Sequence, residues 1–130
     1  MNISIKNRIQ MGSECELIHE AYQGELTLKG DYHYLVYDND EKEKVVLKFK
    51  SDELVMTRFS KPQSLMRFVA NSLGVCTIPT PMGIQKMVTR SSAFQLDANS
   101  LRLSYQLLPY AEAEEAFADY DMEIAWSSHV

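Results

Sequence analysis

Between Ala118 and Trp126 the chain reads ADYDMEIAW. Tyr120, Met122, Ile124 and Trp126 fall on one side of an extended backbone, and Asp119, Asp121 and Glu123 on the other. That period of two is what a half-buried strand requires. Short runs of the same kind recur along the chain, broken by turn residues every 8 to 14 positions. NISIKNRIQM opens the series, followed by YQGELTLK, YHYLVYD, KVVLKFK, LVMTRF and SLMRFVA. VCTIPTPMG, IQKMVTRSSAFQL and LRLSYQLL come before the last strand. This spacing predicts an all-β fold of about 8–10 antiparallel strands with little helix, either a sandwich or a barrel. A sheet of that size must close or fold over to hide its edges.

The turns set expectations for register. Gly30-Asp31 between two strand-like runs is a two-residue hairpin signal, which sets Leu28 opposite His33 and Leu26 opposite Leu35. Ser60–Gln63, read as a four-residue loop, sets Val55, Thr57 and Phe59 opposite Phe68, Met66 and Ser64. Ala111–Ala118 is rich in helix formers but short, uncapped and preceded by Pro109, so it reads as a loop with at most one helical turn. The most heavily punctuated stretch is TIPTPMG. Proline donates nothing to a ladder, so Pro79 and Pro81 belong at an edge, a bulge or a connection. The reading is a strand that leaves the sheet at Ile78, crosses a barrel rim through Thr80, Pro81, Met82 and Gly83, and restarts at Ile84.

The chain's 130 residues are the length of a single domain, 1–130. Cys15 and Cys76 occur without a recognisable export signal, so both read as reduced thiols in a cytoplasmic protein. No apolar run approaches the roughly 18 residues of a membrane span. Net charge is −5, with Lys and Arg concentrated from Lys44 to Arg102 and none beyond Leu103. Overall acidity opposes nucleic-acid binding, and the acidic C-terminal part is expected to lie beside the basic middle and cancel its field.

Chemistry-bearing motifs are scarce. His19, His33 and His129 lack metal-ligand spacing, no G-x-S-x-G elbow occurs, and the glycines are scattered singly. The row Asp119, Asp121, Glu123 reads as the solvated face of an amphipathic strand rather than a cation site. Arg102 and Tyr105 are three apart and so lie on opposite faces. Tyr32, Tyr34 and Tyr37 read as strand packing rather than a stacking platform. What remains is a barrel lumen. Met56, Arg58, Leu65 and Arg67 are expected to share one face of the LVMTRF/SLMRF hairpin, where two arginines would meet a ligand carboxylate or phosphate. The competing reading puts both arginines in water and fills the core with Val55, Phe59, Met66 and Phe68.

LGVCTIPTPMGIQKMVTRSSAFQLD with LRLSYQL, and GDYHYLVYDNDEKEKVVLKF before it, resemble the bacterial YwiB-like family of unknown function. The resemblance runs from Leu17 to Trp126; Met82 stands where that family's motif carries an aromatic. It implies a calycin-like (lipocalin-like) up-and-down β-barrel, leaves the function open, and carries over no catalytic residue. The expected function is therefore non-enzymatic, with no cofactor or metal. The first expectation is a small amphipathic or anionic ligand in the lumen. The second is a protein-interaction module with a filled barrel and a working rim near 77–84. A homodimer is compatible with either.

Overall fold

The computed structural model describes residues 1–128. It contains ten strands: β1 (Asn2–Met11), β2 (Glu14–Lys29), β3 (Tyr32–Asp38), β4 (Lys44–Lys50), β5 (Glu53–Arg58), β6 (Ser64–Val69), β7 (Leu73–Thr80), β8 (Gly83–Leu96), β9 (Ser100–Leu108) and β10 (Ala118–Ser127). Each strand pairs antiparallel with its neighbours in sequence, and β1 pairs with β10 to close the barrel. The all-β up-and-down barrel is therefore the fold, and Pro109–Phe117 forms a loop without helix.

Alternation decides which side chains go inside. Ile3 and Ile5 on β1, Leu35 and Tyr37 on β3, and Val45, Leu47 and Phe49 on β4 are buried in one core. Leu101, Leu103 and Tyr105 on β9 join Met122, Ile124 and Trp126 on β10 from the other side. Phe49 packs against Trp126 with ring centroids 5.1 Å apart, and Tyr105 meets Phe68 edge-on at 4.6 Å. Leu28 does stand opposite His33, and Leu26 opposite Leu35, around a Gly30 that takes a φ of 62°.

Two local expectations are corrected. β5 and β6 are joined by five residues, not four: Arg58 stands opposite Ser64, Met56 opposite Met66 and Leu54 opposite Phe68. Phe59 leaves the hairpin because its N–H donates to the Lys44 carbonyl of β4 at 2.9 Å. A one-residue change of register flips a whole strand. The second correction concerns TIPTPMG. The strand does not leave at Ile78 but runs on to Thr80 and pairs with β8 as far as Thr80 opposite Gly83. Pro81 and Met82 form a two-residue turn, braced by the Thr80 hydroxyl, which donates to the Gly83 carbonyl at 2.7 Å and accepts from the Met82 N–H at 3.2 Å. In such a hairpin the flanking pair exchanges hydrogen bonds, so Pro79, next in line, turns its nitrogen away from β8. That side is unoccupied, because β6 pairs with β7 only at Cys76 and Thr77.

Candidate functional site

The β1–β2 and β7–β8 turns lie at the same end of the barrel, as alternate connections of an up-and-down barrel must. The β3–β4 and β5–β6 turns and the 109–117 loop share this end. The inner wall here is rich in tyrosine. Tyr22 stacks on Tyr37 with centroids 4.5 Å apart, Tyr105 stacks on Tyr120 at 4.6 Å, and the Tyr22 hydroxyl donates to Glu20. Burial pushes the Tyr22, Tyr37 and Tyr105 phenols above their ordinary range.

The four lumen candidates separate. Met56 and Arg58 point to the inner side with Met66; Leu65 and Arg67 stand opposite Thr57 and Val55 on the outer wall. Each earlier grouping was thus half right: Met66 and Phe68 fill the interior, while Val55 and Phe59 do not. Arg58 is already engaged. Its guanidinium donates to Glu43 at 2.7 Å and to Glu41 at 2.9 Å, and the bond from Arg58, followed by that from Asn39, holds the Glu43 carboxyl below the usual carboxylate range. Arg67 binds Glu53 at 2.6 Å on the outside.

The acidic row of β10 faces out and is matched residue for residue. Glu123 stands opposite Lys6 and accepts from Arg102 at 2.7 Å; Asp121 stands opposite Arg8 and accepts from Ser104 at 2.5 Å; Asp119 accepts from Gln106 at 2.7 Å. These rows border a trough of about 860 Å³ across the outside of β2, β1, β10, β9 and β8. Among its charges, Arg102 and Glu123 pair within the wall, and Arg8 reaches the Cys15 sulfur at 3.5 Å. His19 lies outside on β2 with Nε2 3.0 Å from the Ser4 hydroxyl, whereas His33 faces inward and stacks on Phe49. His129 lies outside the described residues.

The rim motif lies on a projecting arm. β9 joins β8 only from Val88 onward, and β6 leaves β7 after Thr77, so 78–87 extends past the wall with both flanks open. By register, Leu73, Val75, Thr77 and Pro79 share the arm's outer face with Ile84, Lys86, Val88 and Arg90. Val75 is 55% exposed, Ile84 57% and Met82, at the tip, 90%.

Sequence reasoning overlooked β2 above Gly24. Its ladder with β3 begins at Gly24, yet the strand starts ten residues earlier. The signal was present in CELIHEA, where neutral Cys15, Leu17, His19 and Ala21 alternate with Glu16, Ile18 and Glu20.

No curated protein matches the chain. Among solved structures, the YwiB protein from Bacillus subtilis matches with a TM-score of 0.81 at 18% identity, covering 99% of this chain and 91% of that one. At that identity the match speaks for the fold. A family model described as a domain of unknown function, DUF1934, matches residues 3–124. Spanning nearly the whole described barrel, that match places the chain in the DUF1934 family.

Proposed function

We propose that the chain is a non-enzymatic binding module that engages an apolar, acidic protein segment on the outer face of β6, β7 and β8. The carrying observation is the exposure of Ile84 and Met82 on one braced arm and of Val75 on the same outer face at its base. Two further features support it. Lys86 and Arg90 interrupt the apolar stripe, and no outward position of β6, β7 or β8 up to Arg90 is acidic. The barrel interior is occupied by its own aromatic and aliphatic side chains. A patch of this kind favours a partner alternating apolar side chains with carboxylates.

Selection from a displayed random peptide library tests the reading. Enriched peptides should alternate apolar and acidic residues, and Val75→Lys or Ile84→Lys should weaken the best of them at least ~tenfold. Basic peptides, or peptides insensitive to both substitutions, would overturn it.

A second reading keeps one specific support. Arg58 lies on the inner wall in line with Tyr37, across Val45 of β4, where an anionic ligand would have to displace Glu41 and Glu43 from it. Native mass spectrometry checks this directly. A co-purified mass lost on denaturation, and absent from Arg58→Ala, supports the lumen reading; a clean mass removes it.

A further inference from the structure

The β1–β2 hairpin closes on Gly12-Ser13, with Met11 opposite Glu14. The residues flanking such a turn exchange both hydrogen bonds, and the pairs beyond alternate. Even-numbered residues of β2 therefore aim their N–H and C=O groups at β1, and odd-numbered residues aim theirs away. The Gly24 N–H, which donates to the Met1 carbonyl at 3.0 Å, obeys this parity. β3 receives the odd-numbered groups below Gly24. Above Gln23, which flanks the first β3 pair, Cys15, Leu17, His19 and Ala21 face no strand on that side. Four residues thus present a row of unpaired main-chain donors and acceptors, which is a template for another strand.

Exposed edges are usually protected by lysine, proline or a bulge. This one has none of these, since its ladder with β1 runs without interruption and its four edge-bonding residues are Cys15, Leu17, His19 and Ala21. Leu17 is 78% exposed at its centre. Carboxylates occur only on the other face, at Glu14, Glu16 and Glu20.

We propose that two copies of the chain pair antiparallel along Cys15–His19 of β2, with Leu17 of each on the twofold axis. Parity requires odd residues to meet odd residues, so the outer faces of the two barrels become continuous. Centring on Ile18 sets Glu16 against Glu20 of the other copy twice. Centring on His19 drives the other copy's Gly12-Ser13 turn towards Gly24, where β3 already occupies the edge. Centring on Leu17 avoids both. It sets Leu17 against Leu17, Cys15 against His19 and Glu16 against Ile18; Glu14 still meets Glu20 of the other copy twice, but outside the Cys15–His19 segment rather than within it. About six main-chain hydrogen bonds form across the axis. A patch this small gives a concentration-dependent dimer, not an obligate one. The inference is independent of the β6–β8 reading, which uses other strands.

Sedimentation of the full chain, from low micromolar to near-millimolar concentration, tests the pairing. Wild type should shift from monomer to dimer. Leu17→Pro removes a donor that faces the edge and none that serves β1, so it should keep the thermal transition and weaken the dimer at least ~tenfold. Should Leu17→Pro unfold, Leu17→Cys in a Cys15→Ser background gives the answer. Mild oxidation should link the two copies through position 17, where Cα atoms of an opposed pair come within disulfide reach. Gln23→Cys in the same background should not link. A wild-type monomer at every concentration overturns the proposal. So does a dimer untouched by a folded Leu17→Pro, or a Leu17→Cys chain that fails to cross-link.

Discussion

The Thr89 hydroxyl on β8 donates a 2.6 Å hydrogen bond to the main-chain carbonyl of Arg67 on β6, reaching across the intervening strand β7. Gly74 makes this crossing possible. It stands opposite Thr89, and a Cβ there would lie 2.8 Å from the Thr89 hydroxyl oxygen and collide with the Arg67 carbonyl. β6 and β7 share only two ladder positions. The buried Thr89 side chain therefore joins the barrel wall where the ladder is thinnest.

Substituting either member should loosen that seam. Gly74→Ala forces backbone apart and should cost about 3 kcal/mol or more, while Thr89→Val leaves the Arg67 carbonyl without its donor and should cost about 1–3 kcal/mol. Denaturant midpoints of the two variants, and of the double variant, check this. Costs that simply add would show that the two residues do not act through one contact.

Two carboxyls at opposite ends of the barrel, Glu43 beside the β3–β4 turn and Glu53 beside the β4–β5 turn, should make stability respond to acid. The Glu43 carboxyl is held low by the hydrogen bond from Arg58 and then by that from Asn39; Glu53 is held low by Tyr32 and then by Arg67. A folded-state pKa below the unfolded value means stability that is present above about pH 4.3 and lost as pH falls through the lowered value. Thermal melts of wild type and Glu43→Gln should therefore differ most near neutrality and converge in acid. A gap that widens on acidification would contradict the assignment.

Much of the architecture was legible in the sequence because alternation is strong where one face is buried. β10 shows this most plainly, with Tyr120, Met122, Ile124 and Trp126 inside and Asp119, Asp121 and Glu123 matched outside. Gly30-Asp31 fixed its hairpin because a two-residue turn leaves no freedom of register. The β5–β6 hairpin was not legible for the opposite reason. Leu54, Met56 and Arg58 are no more apolar as a set than Val55, Thr57 and Phe59, so pattern alone could not choose the inner face. The deciding contact, Phe59 to the Lys44 carbonyl, comes from a strand before the hairpin. The open edge of β2 was hidden for a similar reason, since a strand's free flank depends on where its neighbour stops.

The two thiols should behave differently. Cys76 is buried on the inner wall opposite Met66 and Met87, and burial pushes its thiol up to about 11; Cys15 is exposed on β2. Near pH 8 an aromatic disulfide reagent should modify one thiol per folded chain promptly and the second only as the barrel unfolds. Intact mass with Cys15→Ser identifies which. Prompt modification of Cys76 in the folded chain would mean that the inner wall is open at that level.

The corrected register yields the sharpest contrast between neighbouring aromatics. Phe68 is fully buried, opposite Leu54 and edge-on to Tyr105, whereas Phe59 has left the hairpin and lies half-exposed beneath the Lys44 ammonium, 5.8 Å from its ring centroid. Truncating a buried phenylalanine forfeits its burial and opens a cavity, so Phe68→Ala should cost about 3–5 kcal/mol. Phe59→Ala loses little burial and one exposed cation–π contact, and should cost about 1 kcal/mol or less. Urea midpoints measured side by side decide the register. Equal losses, or a larger loss at Phe59, would restore the four-residue loop and turn Val55 and Thr57 inward.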